Sequence, residues 1–190
     1  MRKFVACIFV AVSLLPLYLK AQHSVTFFEE HIDFSIDNKY FNINGIYSFY
    51  NNSNEIVNQD ILFPFAVKSS LIDSIRVINL NSMKALSFSK LDHAISFSLL
   101  LQPKDTLDIN IFYRQKSSNK NTYIITTTRM WGRPLDKAIY RLTAPKDMDV
   151  HSFSYKPDTM RILDEKKIYQ WDKYHFSPQS DFEFEIKGIE

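Results

Sequence analysis

Only three glycines and one cysteine occur in the 190 residues. Gly45, Gly132 and Gly188 lie too far apart to build a phosphate-cradling loop or a dinucleotide fingerprint, each of which needs several glycines within one turn. Cys7 stands alone near the N-terminus, so the chain has no intrachain disulfide and no paired-thiolate metal site. The five histidines fall at no metal-ligand spacing. There is no Gly-x-Ser-x-Gly elbow, no Ser-x-x-Lys with its partner motifs and no His-Glu-x-x-His helix. Charge of one sign is also missing. The 23 Lys and Arg face 21 Asp and Glu, and removing Arg2, Lys3 and Lys20 with the leader described next leaves one more acid than base. A near-neutral domain offers no electrostatic footprint for nucleic acid or anionic lipid.

Residues 1–21 read as a secretory signal peptide. Met1-Arg2-Lys3 is a basic start, Phe4 to Leu19 is apolar and interrupted by Pro16, and Lys20-Ala21-Gln22 brings a small residue to the cut. The apolar run of about 16 residues is shorter than the roughly 20 a spanning helix needs. Cleavage near Ala21-Gln22 and export to the periplasm or cell exterior are the expectation, with no membrane span in the mature form. An uncleaved anchor is the alternative, because Leu19 stands where such sites usually carry a small residue. Residues 22–190 are then expected to form one β-sandwich domain; a chain of that size buries about 70% of its unfolded surface without disulfides.

Alanine is scarce after the leader, whereas the chain has 16 Phe and 10 Tyr. That balance disfavours helices and suits pleated, half-buried surfaces. The dominant period is two. Ile32, Phe34 and Ile36 alternate with Asp33, Ser35 and Asp37, then Asp37-Asn38-Lys39 turns the chain into Phe41, Ile43, Gly45, Tyr47 and Phe49. Ile61–Phe65 contains Pro64, which marks it as an edge or a strand end. Ile72–Ile78, Leu86–Phe88, Ile95–Leu101, Leu107–Tyr113, Thr122–Arg129, Ile139–Leu142, Val150–Tyr155, Lys167–Trp171 and Phe182–Ile186 follow, divided by polar, Asn-rich or Pro-containing turns. Only Leu135–Tyr140 has room for a helical turn. Roughly a dozen short strands at this spacing predict an all-β fold, a single antiparallel β-sandwich.

The long amphipathic hairpin, the Phe63-Pro64-Phe65 strand and the Ile109–Tyr113 strand resemble the noncatalytic N-terminal β-domain of zinc aminopeptidases. The resemblance covers roughly the first 90 mature residues and implies fold without peptidase activity, since the zinc-binding helix is missing. The tract Tyr123-Ile124-Ile125-Thr126-Thr127-Thr128-Arg129-Met130-Trp131-Gly132-Arg133-Pro134-Leu135 resembles uncharacterised exported bacterial β-sandwich proteins, which implies a fold and an address.

Arg129, Trp131 and Arg133 concentrate recognition side chains where Gly132 and Pro134 force a turn. With Tyr123 they form the candidate ligand site: an aromatic face between guanidinium groups suits a sugar ring, a carboxylate or a glycan phosphate. The competing reading has Trp131 plugging the end of the sandwich while the arginines snorkel outward. Tyr169, Trp171 and Tyr174 form a second aromatic group, read as core. Asp147, Asp149 and His151 share a face if extended and are the lesser candidate for a divalent cation, against a solvated strand face. Glu183 and Glu185 share one strand face, whereas glycosidase carboxylates project across a cleft from separate elements. Ser74, Thr106 and Thr159 each follow Asp and precede an aliphatic residue or Met, a pattern that resembles the acceptor motif of a bacterial O-glycosylation system. Together these features predict a noncatalytic exported binding or structural module of the bacterial envelope or surface, with no cofactor. Its expected partner is an envelope protein or glycan. A hydrolase acting on glycan or cell-wall material is the rival.

Overall fold

Asp37 sets the first turn. Its Oδ1 accepts from the backbone N–H groups of Lys39 and Tyr40, both at 2.7 Å, which fixes the register of the hairpin around it. The computed structural model describes residues 24–187, so the leader and its cut near Ala21-Gln22 lie outside the described residues. Within them the strands are, in chain order, β1 (Val25–Ile36), β2 (Tyr40–Asn51), β3 (Val57–Pro64), β4 (Ile72–Asn79), β5 (Lys84–Ala85), β6 (Ser89–Lys90), β7 (Ala94–Leu101), β8 (Thr106–Lys116), β9 (Lys120–Tyr123), β10 (Leu135–Pro145), β11 (Val150–His151), β12 (Thr159–Leu163), β13 (Lys166–Phe176) and β14 (Phe182–Ile186). Strand makes up 62% of the structure and helix 5%, which establishes the all-β class. Among the described residues no helix is long and apolar enough to cross a membrane.

An eight-stranded sheet, β12-β13-β10-β1-β2-β8-β4-β5, forms one layer. Two three-stranded sheets, β11-β14-β9 and β3-β7-β6, lie side by side against it. Aromatic pairs join the layers. Phe182 on β14 stacks on Phe34 of β1 at 4.8 Å, Phe184 meets Phe41 of β2 at 5.2 Å, and Phe63 on β3 meets Tyr47 of β2 at 5.5 Å. Alternation produces this directly, since every second residue of β2, β8 and β10 turns inward and buries its side chain in one continuous core. Pro64 sits where expected, at the end of an edge strand that leaves its missing N–H unneeded.

Several features depart from the sequence reading. Leu86–Phe88, expected as a strand, is irregular chain between β5 and β6, and the strand expected over Val150–Tyr155 ends at His151. The sandwich is not wholly antiparallel: β1 pairs with β10 in parallel, Glu29 opposite Lys137 through Ser35 opposite Thr143. The chain that forms β10 re-enters the sheet beside β1 after crossing the other layer, so it runs in the same direction. Leu135–Tyr140, the one candidate for a helical turn, is the first half of β10. The β-branched run Thr122–Arg129 is a strand only as far as Tyr123, and Thr126–Trp131 is a 3-10 helix. Local hydrogen bonding overrides β-propensity there. Asp181 Oδ1 accepts from the backbone of Ile125 (3.1 Å) and Thr126 (3.0 Å) and from Thr126 Oγ1 (2.7 Å). Thr128 Oγ1 donates back to the Ile125 carbonyl at 2.8 Å. Gly132 ends the helix at φ 71°, a left-handed position that favours glycine.

Candidate functional site

The two small sheets do not meet edge to edge. Between β3 of one and the β9–3-10 segment of the other a cleft descends to the large sheet and encloses a cavity of about 330 Å3. Its floor is β1, β2 and β8. Its walls are apolar, with Phe27, Phe49 and Trp131 on one side and Ile61 and Phe63 on the other. Met130 and Leu62 line the mouth, 80% and 65% exposed.

A polar cluster closes the inner end. A β-bulge places Phe28 as an extra residue between the pairs Phe27–Phe49 and Glu29–Ser48. The bulge reverses which residues of β1 face inward: Val25 and Phe27 before it, and Glu30, Ile32, Phe34 and Ile36 after it. Glu30 is thereby turned into the core at 2% exposure. Tyr140, on neighbouring β10, donates to Glu30 Oε1. Glu30 Oε2 has no hydrogen-bond partner among the described residues, and the carboxyl lines the cavity. Beside it the hydroxyls of Tyr47 (β2) and Tyr123 (β9) share a hydrogen bond of 2.7 Å that ties the large sheet to a small one. Gly45 makes room for this arrangement. A Cβ there would lie 2.6 Å from Tyr47 Cζ and 2.7 Å from Ile32 Cδ1.

Burial dominates the electrostatics. Desolvation pushes the Glu30 carboxyl from its ordinary 4.5 up to about 7, against the opposing pull of the Tyr140 hydrogen bond. Burial, followed by the nearby Glu30 charge, holds the Tyr47 and Tyr140 hydroxyls well above the usual tyrosine range. Tyr123 is raised by burial and by Tyr47 and Glu30. The site is therefore an apolar cleft whose inner end carries a buried carboxyl and the neutral phenols of Tyr47 and Tyr123, with Tyr140 bonded to the carboxyl outside the lining.

Of the residues singled out in the sequence, the fold brings Trp131 and Tyr123 to this cavity and leaves the arginines out. Trp131 is half-buried, its ring 6.0 Å from Phe27 and 5.5 Å from Phe49. Arg129 is exposed and donates to the Thr126 carbonyl at 3.3 Å. Arg133 pairs with Asp136 beside Thr26, Phe28 and Tyr50, on the opposite face of the large sheet. Trp171 is wholly buried and donates to the Tyr155 carbonyl at 2.8 Å, Tyr169 is buried near it, and Tyr174 is exposed. Asp147, Asp149 and His151 do not converge. Asp147 is in a turn, Asp149 pairs with Lys187 at 3.1 Å and His151 faces Glu185 at 3.7 Å. Among the described residues no three His, Cys, Asp or Glu come together as metal ligands. Ser74 and Thr159 are exposed, at a bulge of β4 and the start of edge strand β12, whereas Thr106 opens β8 and is half-buried. Glu30 escaped the sequence reading. The available signal is parity: carrying the Ile36-Phe34-Ile32 alternation two residues back puts Glu30 on the apolar face.

No family model matches the chain, and no curated protein matches it. Solved structures do. A Legionella pneumophila protein to which nutrient binding has been ascribed superposes with a TM-score of 0.73 at 16% identity, over 87% of this chain and 67% of that one. An M1 zinc metallopeptidase from Deinococcus radiodurans matches with a TM-score of 0.53 at 10% identity, over 87% of this chain and 42% of the enzyme. Its E323A variant matches at 9% identity. These likenesses are of fold. They extend the resemblance to zinc aminopeptidases from the first half of the chain to most of it.

Proposed function

We propose that the chain is a noncatalytic binding module that holds a small, largely apolar molecule in the cleft between its two small sheets. The observation that carries this reading is the cavity itself: about 330 Å3, walled mainly by aromatic and aliphatic side chains, with Glu30 at its inner end and a few polar side chains, Asp60 among them, along its walls. Ligand sites have this composition and begin near this size. The ascribed role of the Legionella neighbour supports binding as the type of activity. The apolar leader supports an exported, envelope or surface location, and the exposed Ser74 and Thr159 are the acceptors such an address would offer for O-glycosylation. The rival, a glycan hydrolase, asks for two carboxylates facing each other across a cleft. Here Glu30 lies at the inner end, and Asp60 on the wall accepts from Ser98 Oγ at 2.6 Å.

Nuclear magnetic resonance titration with 2-phenylethanol tests the binding reading. Shifts concentrated on the Trp131 indole N–H and the Met130 methyl, and abolished in an Ile61→Phe variant that fills the cavity, are the expected result. Shifts absent, or scattered over the surface, would remove the cleft from consideration.

A further inference from the structure

A buried carboxyl ordinarily has a cation beside it, because an isolated ionised group away from water is expensive. Glu30 has none. The groups facing it are Tyr140 from β10, Tyr47 from β2 and Tyr123 from β9, and no lysine, arginine or histidine among the described residues contributes to its environment. The phenols cannot supply a positive charge, being neutral with their protons on, which is the form burial favours. One carboxylate oxygen, Oε1, is satisfied by Tyr140; the other, Oε2, is left to the cavity. The aromatic rings of Tyr47, Tyr123 and Phe27 line the same cavity, and aromatic faces attract positive charge. A divalent metal is a poor match, because among the described residues no three His, Cys, Asp or Glu gather as ligands, and the other carboxylate of the cavity, Asp60, accepts from Ser98 Oγ.

From this juxtaposition we infer that the cavity is built for a small organic ammonium, its apolar body lying along Phe49, Trp131 and Ile61 and its cationic head donating to Glu30 Oε2. The inference rests on the binding reading above and adds the chemical class of the ligand. The volume of about 330 Å3 corresponds to roughly ten water-sized groups at about 30 Å3 each, which suits a monoamine of about that many heavy atoms. The ion pair forms without bond breaking: the ammonium keeps its proton, Glu30 is ionised in the complex, and any proton it held passes to water. The phenols of Tyr47 and Tyr123 line the same cavity from two strands, β2 and β9, and their mutual hydrogen bond fixes their positions.

Three probes with a common body separate the possibilities: phenethylamine, 2-phenylethanol and phenylacetate, titrated into the purified full-length protein at pH 8 with the Trp131 and Met130 signals as readout. A hydrogen bond to a charged group is worth about 1.5–3 kcal/mol, which converts to roughly 10–100-fold, so phenethylamine should bind at least tenfold more tightly than the alcohol, and phenylacetate most weakly. In Glu30→Gln the preference for the amine over the alcohol should shrink to within about twofold. In the wild-type protein, amine affinity should rise about tenfold per pH unit as Glu30 ionises and level off above about 7, an arm that needs no variant to fold. An alcohol or carboxylate as tight as the amine, an amine preference that survives Glu30→Gln, or a flat pH profile would overturn the ammonium assignment and leave cavity binding standing. If none of the three moves the Trp131 or Met130 signals, both readings fall.

Discussion

Replacing Glu30 with glutamine should stabilise the protein at alkaline pH and leave it nearly unchanged in mild acid. The carboxyl titrates near 4.5 when unfolded and at about 7 in the fold. Between those values the folded state holds a proton that the unfolded chain has released, so stability falls as pH rises. The contribution is fully present below about pH 4.5 and is lost as pH climbs through 7. At about 1.4 kcal/mol per unit of separation, the loss amounts to roughly 3 kcal/mol. Glutamine keeps an acceptor for the Tyr140 hydroxyl and has nothing to ionise, so its own profile lacks this decline. Urea denaturation of both proteins from pH 4.5 to 8.5 measures the effect, and subtracting the curves removes every other titrating group. The variant should draw ahead by roughly 3 kcal/mol at pH 8.5, or roughly 6–12 °C in Tm for a chain of this size. Parallel curves across the window would show that Glu30 is not held in the desolvated, cation-free environment described, and would withdraw the basis of the ammonium assignment as well.

Tyr140→Phe removes the one hydrogen bond that, among the described residues, favours ionised Glu30, so it should destabilise the protein by about 1–3 kcal/mol and move the pH-dependent decline to higher pH; the same urea series reads both. Gly45→Ala drives a methyl group into Tyr47 and Ile32, should cost about 1–3 kcal/mol by overpacking, and should weaken 2-phenylethanol binding by displacing Tyr47, as thermal denaturation and titration would show. Trp131→Ala should destabilise by roughly 2 kcal/mol, less than the ~3–5 of a fully buried tryptophan, and should abolish probe binding. The double change Arg129→Ala with Arg133→Ala should leave probe affinity within about twofold and stability within about 1 kcal/mol, because surface ion pairs contribute little.

Much of the fold is legible in the sequence because one rule governs it. Period-two alternation identifies the β1–β2 hairpin, β7, β8 and β14, and Pro64 marks its own strand as an edge. What alternation cannot carry is a change of phase. The bulge at Phe28 shifts the inward parity of β1 by one residue, so Val25 and Phe27 do not share the phase of Glu30, Ile32 and Phe34, and Glu30 is legible only by counting back from Ile36. The threonine run fails for a different reason: its fate depends on Asp181, more than fifty residues along the chain, a partner no local propensity contains. The candidate site was half legible. Trp131 and Tyr123 stand out as aromatic residues near a turn, but whether the neighbouring arginines share their face depends on how the 3-10 helix and Gly132 rotate the backbone. The cleft itself arises from two sheets failing to meet, a property of no single segment.

The parallel pairing of β1 with β10 also bears on how the molecule comes into being. β1 lies between β2, its immediate successor in the chain, and β10, which begins about a hundred residues later. A chain emerging from the ribosome can close the β1–β2 hairpin at once, yet one flank of β1 stays an unsatisfied edge until Thr143 has been made. Long-range closure of that kind slows folding and leaves a pairing edge exposed to other chains meanwhile. The nascent protein is thus most vulnerable to aggregation in its middle age, with β2, β8 and β4 assembled and the other side of β1 still waiting for its partner.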